Sequence, residues 1–352
     1  MATRRVLSID GGGVRGIVAA IVLDAIEHEL IAAGKSFRFT DCFDLIAGTS
    51  TGAIIAAGLC TPDPVTSELR NPSDIRQRYE QDARRIFPAR FFSQIPVIGR
   101  IPQLFGPFYR PDGIQRVLKE NFGDAVFADA THNLMITGYS INPRNAVLFR
   151  GGPEYTNRPE AETFGAIKIR DAVRGSAAAP TFFPPHKIDG PNGSAMTIID
   201  GGVFLNDPGM SAYAEARRLF PDDDIQVVSL GTGRATEPYP FQEAIRWGFS
   251  QWLSPIGRFR TPLLSSIQDG QARAANWQLE FILGENYYRF DHDLSHGLGS
   301  ERLDDASRRN LKRLTKGALA MVQDEREKIL ALVQALTPSD ANNGNADASC
   351  QI

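Results

Sequence analysis

The sequence predicts an α/β fold: a mainly parallel central sheet, flanked by helices in three layers, with a helical C-terminal part. Three observations lead to this fold class. Short apolar runs alternate with longer stretches of helical periodicity, glycine-containing turns join them, and the segment from 304 to 336 carries apolar residues at helical spacing. Alternating strands and helices are typical of parallel sheets, because a parallel connection has to cross back over the sheet.

Two strand–turn–helix units open the chain. The strands are predicted at Val6–Ile9 and Phe43–Ile46, and the helices that follow them at Val18–Leu30 and Ala53–Leu59. Both strands are short and end at glycine-containing turns, which is typical of buried strands. The first helix repeats its apolar residues at helical spacing, so one side of it should face the sheet.

The rest of the chain adds strands and helices to this start. Strands are predicted at Leu134–Thr137, Ala146–Phe149, Met196–Ile199 and Ile225–Leu230, and helices near Asp74–Ile86 and over Ile169–Gly175. The segment Asp304–Leu336 is expected to form two helices, or one helix that breaks near Thr315–Gly317.

One catalytic domain is expected over residues 1–336, with its core at 5–235 and C-terminal helices at 304–336. The stretches 61–111 and 238–288 contain segments rich in aromatic and apolar residues. We interpret them as insertions that line or cover a substrate channel; packing against the core or a dimer interface is the alternative. Residues 337–352 are polar and are expected to form a flexible tail.

Composition and charge exclude several classes of protein. With 38 Lys and Arg against 41 Asp and Glu the net charge is −3, so nothing in it points to a nucleic-acid polymer as partner. Cys42, Cys60 and Cys350 form neither a disulfide framework nor a zinc motif, and no metal or other cofactor is expected. Without a signal segment or a spanning apolar run, we expect a soluble, cytoplasmic protein; peripheral membrane contact and homo-oligomerisation are left open.

Gly48-Thr-Ser50-Thr-Gly52 lies between a predicted strand and a predicted helix. This is the Gly-x-Ser-x-Gly pattern of a nucleophile elbow, in which a serine stands on a sharp turn with its hydroxyl exposed. The flanking residues must be small for the turn to close, and the following helix adds its positive N-terminal dipole. Ser50 is therefore the candidate nucleophile; the alternative is a serine that only caps the helix.

Asp10-Gly-Gly-Gly-Val-Arg-Gly16 also joins a strand to a helix. Gly11-x-Gly13-x-x-Gly16 satisfies the dinucleotide fingerprint, but the acidic residue expected at the end of the second strand is missing. In the other interpretation the loop is an oxyanion hole, because consecutive glycines let backbone N–H groups converge at a helix N-terminus. Arg15 would then place a positive charge there or anchor the loop.

Asp200-Gly-Gly follows the predicted strand Met196–Ile199. Two glycines allow the carboxylate to approach another loop closely; an Asx-type turn is the alternative. A histidine base would be usual for a serine hydrolase. Only His186 lies near a plausible active-site loop, and none of the five histidines occupies a setting that demands this role: His28, His132, His186, His292 and His296.

Taken together, the three turns resemble the patatin-like phospholipase family: Asp-Gly-Gly-Gly-x-Arg-Gly at 10–16, Gly-Thr-Ser-Thr-Gly at 48–52 and Asp-Gly-Gly at 200–202. A fourth block, which runs from Val173 through Ser176 to Pro185, resembles the small-residue segment of that family. Asn206 and Pro208 match the residues that follow its aspartate. The blocks extend over about residues 5–235 in the family's order, and residues 238–336 match nothing recognised.

The resemblance implies a serine esterase that works through a Ser–Asp dyad and needs no metal. Ser50 would be the nucleophile, and Asp200 would accept its proton directly or through water. The N–H groups of Gly12 and Gly13 would hold the oxyanion, with Gly11 and Arg15 shaping that loop. An acyl-enzyme would form and water would release a fatty acid, so phospholipids or other acyl esters are the implied substrates.

The sequence leaves several alternative functions open. An acyltransferase, or an esterase for small non-lipid esters, would use the same dyad. A phospholipase effector of bacterial antiviral defence would use it too, after activation by a cyclic nucleotide bound outside the dyad, for which residues 238–336 leave room. A dinucleotide-binding oxidoreductase would account for the glycines at 11, 13 and 16 but for none of the other blocks.

Overall fold

A mixed sheet forms the centre of the molecule. The computed structural model describes residues 2–88, 106–190, 195–253, 261–294 and 299–336. In these ranges the strands are β1 Thr3–Ile9, β2 Leu45–Gly48, β3 Leu134–Asn142, β4 Arg144–Gly151, β5 His186–Asp189, β6 Ala195–Asp200, β7 Asp224–Leu230 and β8 Tyr287–Phe290. Their order across the sheet is β5-β6-β3-β2-β1-β7-β8, and β4 also pairs with β3.

Helices flank this sheet and make up the C-terminal part. They are α1 Gly16–Ala32, α2 Thr51–Cys60, α3 Pro72–Ile86, α4 Asp112–Phe122, α5 Pro159–Phe164, α6 Ile169–Ser176, α7 Gly209–Leu219, α8 Phe241–Ala244, α9 Phe249–Leu253, α10 Pro262–Leu283, α11 Arg308–Asp324 and α12 Arg326–Ala335. The main core cluster of buried apolar side chains draws on α1, α2, α4 and the sheet.

The strand β1 lies inside the sheet and positions the site. It pairs in parallel with β2 on one edge and with β7 on the other, so the ends of all three strands meet at one border of the sheet. Val6, Leu7 and Ile9 are completely buried, as expected of a strand with helices on both faces. The loops that follow β1 and β2 are the glycine-rich loop and the serine turn, which therefore face each other.

The other half of the sheet is antiparallel. A hairpin joins β3 to β4, β6 pairs antiparallel with β3, and β5 pairs antiparallel with β6. In the register of β3 and β6, Asp200 lies opposite Gly138, while β2 pairs with the beginning of the same strand β3. The predicted α/β class with mostly parallel strands and a helical C-terminal part is confirmed, with this antiparallel edge added.

The predicted elements are present, and most are one to four residues longer than predicted at one end or both. One prediction was wrong: the C-terminal helices break at Glu325, between α11 and α12, and not near Thr315–Gly317. Gly317 is a buried residue inside α11, next to buried Leu314 and Ala318. This face packs on α1, and that packing outweighs the weak helix propensity of one glycine.

Several elements had no counterpart in the prediction, among them α4, α7, α10, β5 and β8. The predicted lid stretch near 91–109 lies mostly outside the described residues, as does the predicted tail at 337–352. Of the second stretch, α8 and α9 are described, and Phe241 and Phe249 are strongly exposed there. Across the described ranges, no helix combines the length and apolar character needed to cross a membrane.

Candidate active site

Ser50 stands at the turn between β2 and α2 in a backbone conformation that is rare for any residue except glycine, with φ 54° and ψ −114°. Two glycines make this turn possible. A Cβ on Gly48 would lie 2.2 Å from the carbonyl oxygen of Gly52, and a Cβ on Gly52 would lie 2.1 Å from the carbonyl oxygen of Ile9. The pattern therefore needs glycine at both positions because backbone carbonyl groups come too close to leave room for a side chain.

Neighbouring hydroxyl groups hold the serine turn in place. The backbone N–H of Ser50 donates a hydrogen bond of 2.9 Å to Oγ of Ser176. The side chain of Thr49 donates to the carbonyl oxygen of Leu205 at 2.8 Å and accepts from Oγ1 of Thr137, also at 2.8 Å. These hydrogen bonds connect the turn to α6, to β3 and to the segment after β6.

Asp200 lies at the end of β6, where its carboxylate meets Ser50. It accepts a hydrogen bond of 2.7 Å from the backbone N–H of Gly202, and it interacts with the Ser50 side chain, which lines the same cavity. The residue is only 4% exposed. Burial disfavours the charged form and raises the pKa of Asp200 to about 7, although the Gly202 N–H and the Ser50 hydroxyl both act in the opposite direction. This carboxylate is therefore far more basic than an exposed one.

The glycine-rich loop presents two amide groups beside the serine. The N–H of Gly11 donates to the carbonyl oxygen of Asn206 at 3.0 Å, and the N–H of Val14 donates to that of Leu303 at 2.8 Å. Between them, the N–H groups of Gly12 and Gly13 have no acceptor among the described residues. Gly12 and Gly13 line the same cavity as Ser50. They are available as donors, whereas Gly11 is not.

Arg15 anchors this loop instead of pointing at the serine. Its Nε donates to the carbonyl oxygen of Gly12 at 3.4 Å, and its Nη1 donates to that of Gly233 at 3.2 Å. Of the two roles considered for Arg15, the geometry therefore supports the positioning one. Desolvation lowers the pKa of the guanidinium, which nevertheless stays charged at neutral pH.

Tyr79 is a site residue that no sequence motif indicated. Its hydroxyl donates to the carbonyl oxygen of Gly13 and shares a short hydrogen bond with the hydroxyl of Thr51. Because Thr51 directly follows the serine, the phenol links the serine turn to the glycine-rich loop. Gly16 makes room for this contact, since a Cβ there would lie 2.6 Å from the Tyr79 oxygen.

An apolar cavity opens at the serine. Its walls come from α2, α3 and α4 and from the segment after α6. The apolar side chains that line it are those of Ile54, Ile55, Ile75, Ala83, Ile86, Phe87, Ile114, Val117, Phe122, Ala177, Ala179, Phe182, Phe183 and Leu303. Such a wall suits a hydrocarbon chain, because it offers apolar contact along most of the cavity.

The cavity runs along α2 from the serine at its start to a cluster of charges at its end. Arg70 donates to the carbonyl oxygen of Thr61, just after α2, and both Arg70 and Arg78 pair with Asp63. Asn121 also takes part, since its backbone carbonyl accepts from Arg70. Arg70, Arg78 and Asn121 line the cavity, so its apolar wall stops at this hydrogen-bonded network.

No histidine of the described residues lines this cavity. His186 lies in β5, where its Nε2 is 3.2 Å from Asp171, and His132 lies 3.4 Å from Asp41. His296 falls outside the described ranges. Within those ranges, no group of His, Cys, Asp and Glu side chains is arranged to hold a metal ion. The groups that the structure brings together at Ser50 are one carboxylate and two backbone amides.

Comparison with known proteins agrees with the motifs. A family model described as patatin-like phospholipase matches residues 7–213. Patatin-like protein 2 of Arabidopsis thaliana is 30% identical over 336 residues, which cover 88% of this chain and 81% of the relative. Patatin-T5 of Solanum tuberosum is 29% identical over 333 residues, with the same two shares of 88% and 81%.

Among solved structures, VipD from Legionella pneumophila matches with a TM-score of 0.42 and 13% identity, over 91% of this chain and 67% of that one. The family model covers more than half of the chain, and the first of these relatives extends over most of it. The chain belongs to the patatin-like phospholipase family, and this membership indicates a lipid acyl hydrolase.

Proposed function

We propose that this protein is a phospholipase A-type serine esterase that cleaves carboxylic ester bonds of acyl lipids through a Ser50–Asp200 dyad. The observation that carries the proposal is that the Ser50 side chain and the buried Asp200 carboxylate, which interact, lie together at the head of an apolar cavity. A serine, a base and an apolar acyl site are the parts that lipid ester hydrolysis requires.

The reaction follows from these groups. Asp200 takes the proton of the Ser50 hydroxyl as Oγ attacks the ester carbonyl carbon. The carbonyl oxygen becomes an oxyanion, which the N–H groups of Gly12 and Gly13 stabilise. When the intermediate collapses, the ester C–O bond breaks, protonated Asp200 returns its proton to the leaving alkoxide, and the acyl group stays on Ser50. Water then attacks this acyl-enzyme with Asp200 again as base, and the fatty acid is released.

The surroundings compensate for the weakness of a carboxylate as a base. An ordinary aspartate is mostly too acidic to accept a proton from serine, but a base works best when its pKa lies near the working pH. Burial brings the pKa of Asp200 to about 7. The N-terminus of α2 directly after Ser50 adds a positive dipole that favours the developing alkoxide.

The outer surface also fits a substrate that resides in lipid aggregates. Large apolar side chains are exposed on α8, α9 and α10: Phe241 at 69%, Phe249 at 84%, Trp277 at 66% and Phe281 at 82%. Trp277 and Phe281 stack on each other, and exposed apolar surface of this kind is typical of contacts with other molecules or with membranes. We therefore include peripheral membrane contact in the proposal.

The test compares purified wild-type protein with Ser50→Ala and Asp200→Asn on p-nitrophenyl butyrate and on phospholipid vesicles. Both variants should lose at least ~1,000-fold in turnover while circular dichroism shows an unchanged fold. Ser211→Ala and Asp189→Asn, which change the same residue types outside the cavity, should keep wild-type rates. Substantial turnover by either dyad variant would contradict the assignment.

Product analysis separates hydrolysis from acyl transfer, which uses the same acyl-enzyme with another acceptor. With vesicles in water the proposal predicts free fatty acid in a one-to-one ratio with lysophospholipid. Accumulation of a transferred acyl product in the presence of an added alcohol, without free fatty acid, would favour the acyltransferase. Silence of a folded protein on both substrates would favour an effector that needs an activating ligand.

A further inference from the structure

A second cavity lies on the other side of the glycine-rich loop. Its walls come from the carboxyl ends of β1, β7 and β8, from one side of α10 and from residues 301–303. Ligands of α/β proteins commonly bind at the carboxyl ends of parallel strands, because the loops there diverge and leave a crevice. Neither Ser50 nor Asp200 lines this second cavity.

The lining of the second cavity is ionic and balanced in charge, in contrast to the apolar cavity. Arg15, Arg234, Arg289 and Arg302 contribute four guanidinium groups, and Asp10, Asp269, Asp291 and Glu301 contribute four carboxyl groups. Thr232, Tyr239, Ser265, Asn206 and Gln268 add hydroxyl and amide groups. A ligand in this cavity is therefore offered partners of both signs at short range.

The charged residues fall into a buried part and an accessible part. Arg289 binds Asp10, Asp207 and Asp291 and forms the floor. Burial raises the pKa of Asp10 well above its usual range. Arg234 and Arg302 have side chains that are 47% and 42% exposed. Arg234 pairs with Asp291 and Asp293, and Arg302 pairs with Asp304. The accessible groups are the ones that a ligand would meet first.

The two cavities share a wall beside the dyad. Asn206, Gln268 and Leu303 line both of them. Asn206 holds the glycine-rich loop, because its carbonyl oxygen accepts from the N–H of Gly11. A Cβ on Gly202 would lie 2.9 Å from Nε2 of Gln268 and 3.1 Å from Oδ1 of Asp200. The polar cavity therefore begins within a few ångströms of the proposed base.

An ester has two arms, which leave the carbonyl carbon in different directions. With that carbon at Ser50 and its oxygen at the N–H groups of Gly12 and Gly13, the apolar cavity suits the acyl arm. The alkoxy arm then needs a polar space on another side of the dyad. We propose that the second cavity binds the leaving-group end of the substrate and that it selects a zwitterionic headgroup, in which a phosphate and an ammonium group are linked.

This inference rests on the proposed function and extends it to the class of headgroup. A purely anionic headgroup would find guanidinium partners but would bring no cation of its own to the four carboxyl groups of the lining. A zwitterion matches the lining, since its phosphate has guanidinium partners and its ammonium group has carboxylate partners. Arg234, which pairs with Asp291 and Asp293, and Asp269, which pairs with Arg273, are accessible groups of opposite sign on which a test can act.

The experiment uses substrates with one acyl length that are dissolved as monomers, so that the charge of a lipid surface plays no part. The wild-type protein is assayed below the critical micelle concentration on diheptanoyl phosphatidylcholine, which is zwitterionic, and on diheptanoyl phosphatidylglycerol, which is anionic. The readout is the ratio of the two kcat/KM values within each protein, which cancels any general loss of activity. p-Nitrophenyl heptanoate, which has no headgroup, reports the chemistry alone.

The variants Arg234→Gln and Asp269→Asn should shift the ratio in opposite directions. Loss of the carboxylate in Asp269→Asn should raise the phosphatidylglycerol-to-phosphatidylcholine ratio, and loss of the cation in Arg234→Gln should lower it. Each shift should be roughly two- to fivefold, the size that a half-exposed charge contact supports. Arg313→Gln and Asp189→Asn remove the same charges elsewhere on the surface and should leave the ratio unchanged.

The outcomes separate this inference from the proposed function. Ser50-dependent hydrolysis of p-nitrophenyl heptanoate, with the same ratio in wild type and in both variants, would overturn the headgroup site and leave the esterase standing. A wild-type preference for the anionic lipid would also overturn it. If p-nitrophenyl heptanoate is not hydrolysed at all, the result contradicts the proposed esterase function, and the headgroup site, which depends on that function, is rejected as well.

Discussion

Ser176 accepts a hydrogen bond from the backbone N–H of Ser50 at 2.9 Å, and so the small-residue segment around α6 holds the peptide group of the proposed nucleophile. Ser176 is completely buried and is the last residue of α6. Ser50 adopts a positive φ of 54°, a conformation that persists only where the surroundings impose it. The Ser176 hydroxyl is one of those surroundings.

Replacement of Ser176 by alanine should therefore impair catalysis without touching a reacting group. The N–H of Ser50 would lose its acceptor in a buried site, which costs about 1–3 kcal/mol. We expect a loss of roughly tenfold or more in kcat on p-nitrophenyl butyrate together with a lower midpoint of thermal unfolding. Ser211→Ala is the matched control. Unchanged kcat and unchanged thermal stability in Ser176→Ala would show that the turn is fixed by other contacts.

The rate should rise with pH through the titration of Asp200. Because burial raises the pKa of Asp200 to about 7, a large part of the base is protonated and idle at pH 6. We expect kcat/KM on p-nitrophenyl butyrate to fall about tenfold per pH unit below pH 6 and to level off above pH 8. A profile that is flat between pH 5 and pH 8 would mean that the base titrates elsewhere.

The same carboxylate should make the wild-type protein less stable at high pH. Its pKa is about 7 in the folded chain against an ordinary value of 3.8. The protonated carboxyl group therefore contributes its full share to the free energy of unfolding below about pH 4, and this share is lost as the pH rises through 7. This difference corresponds to about 4 kcal/mol at most. Asp200→Asn cannot ionise, so its advantage in unfolding free energy over wild type should grow between pH 5 and pH 8. Denaturant titrations at both pH values measure it, and an advantage that shrinks over this range would contradict the sign.

The serine turn should not tolerate a methyl group at Gly52. A Cβ there would lie 2.1 Å from the carbonyl oxygen of Ile9, which belongs to the central strand and cannot move aside. We expect Gly52→Ala to lose about 3 kcal/mol or more of unfolding free energy, or to fail to fold. Gly270→Ala in α10, where nothing lies within 4 Å, should be neutral or stabilising by up to ~1 kcal/mol. Equal effects of the two changes would argue against the observed packing.

The acyl cavity should limit chain length. Gly58 lies eight residues after Ser50, roughly 12 Å along α2 at 1.5 Å per residue, about the length of a ten-carbon chain. Wild-type kcat/KM on p-nitrophenyl esters should rise by up to about fourfold per methylene, from ~0.8 kcal/mol each, and level off near this length. Gly58→Leu would fill the space next to Ile75, so the optimum should move to shorter esters while butyrate is still cleaved. The same chain-length profile in both proteins would place the acyl group elsewhere.

The serine turn and the glycine-rich loop were predictable because their requirements are local. Gly48 and Gly52 follow from the shape of a sharp turn, and the close contacts confirm the reason. The local sequence left Asp200 undecided between an Asx-type turn and a base. In the structure its carboxylate accepts from the Gly202 N–H two residues on and also interacts with the Ser50 side chain, which is distant in the sequence, so the two interpretations do not exclude each other.

Other parts of the site depend on contacts between segments that are far apart in the chain. Tyr79 carries no motif, and only the packing of α3 on the glycine-rich loop reveals its hydrogen bond to Gly13. Leu303 belongs to a stretch without any recognised pattern, yet its carbonyl oxygen accepts from Val14. α10 was missed since apolar side chains such as Trp277 and Phe281 lie on its exposed side, against the usual periodicity of a surface helix.

The central position of β1 has a consequence for the chain during synthesis. Asp200 follows Ser50 by 150 residues, and at ~5–20 residues per second translation takes roughly 8 to 30 s to cover them. β7, the parallel neighbour on the other edge of β1, is made later still. A chain on the ribosome therefore carries the proposed nucleophile before the proposed base has been made, and β1 keeps an unpaired edge until β7 follows. The proposed dyad can form only when the sheet closes around β1, so translation itself delays its assembly until most of the protein exists.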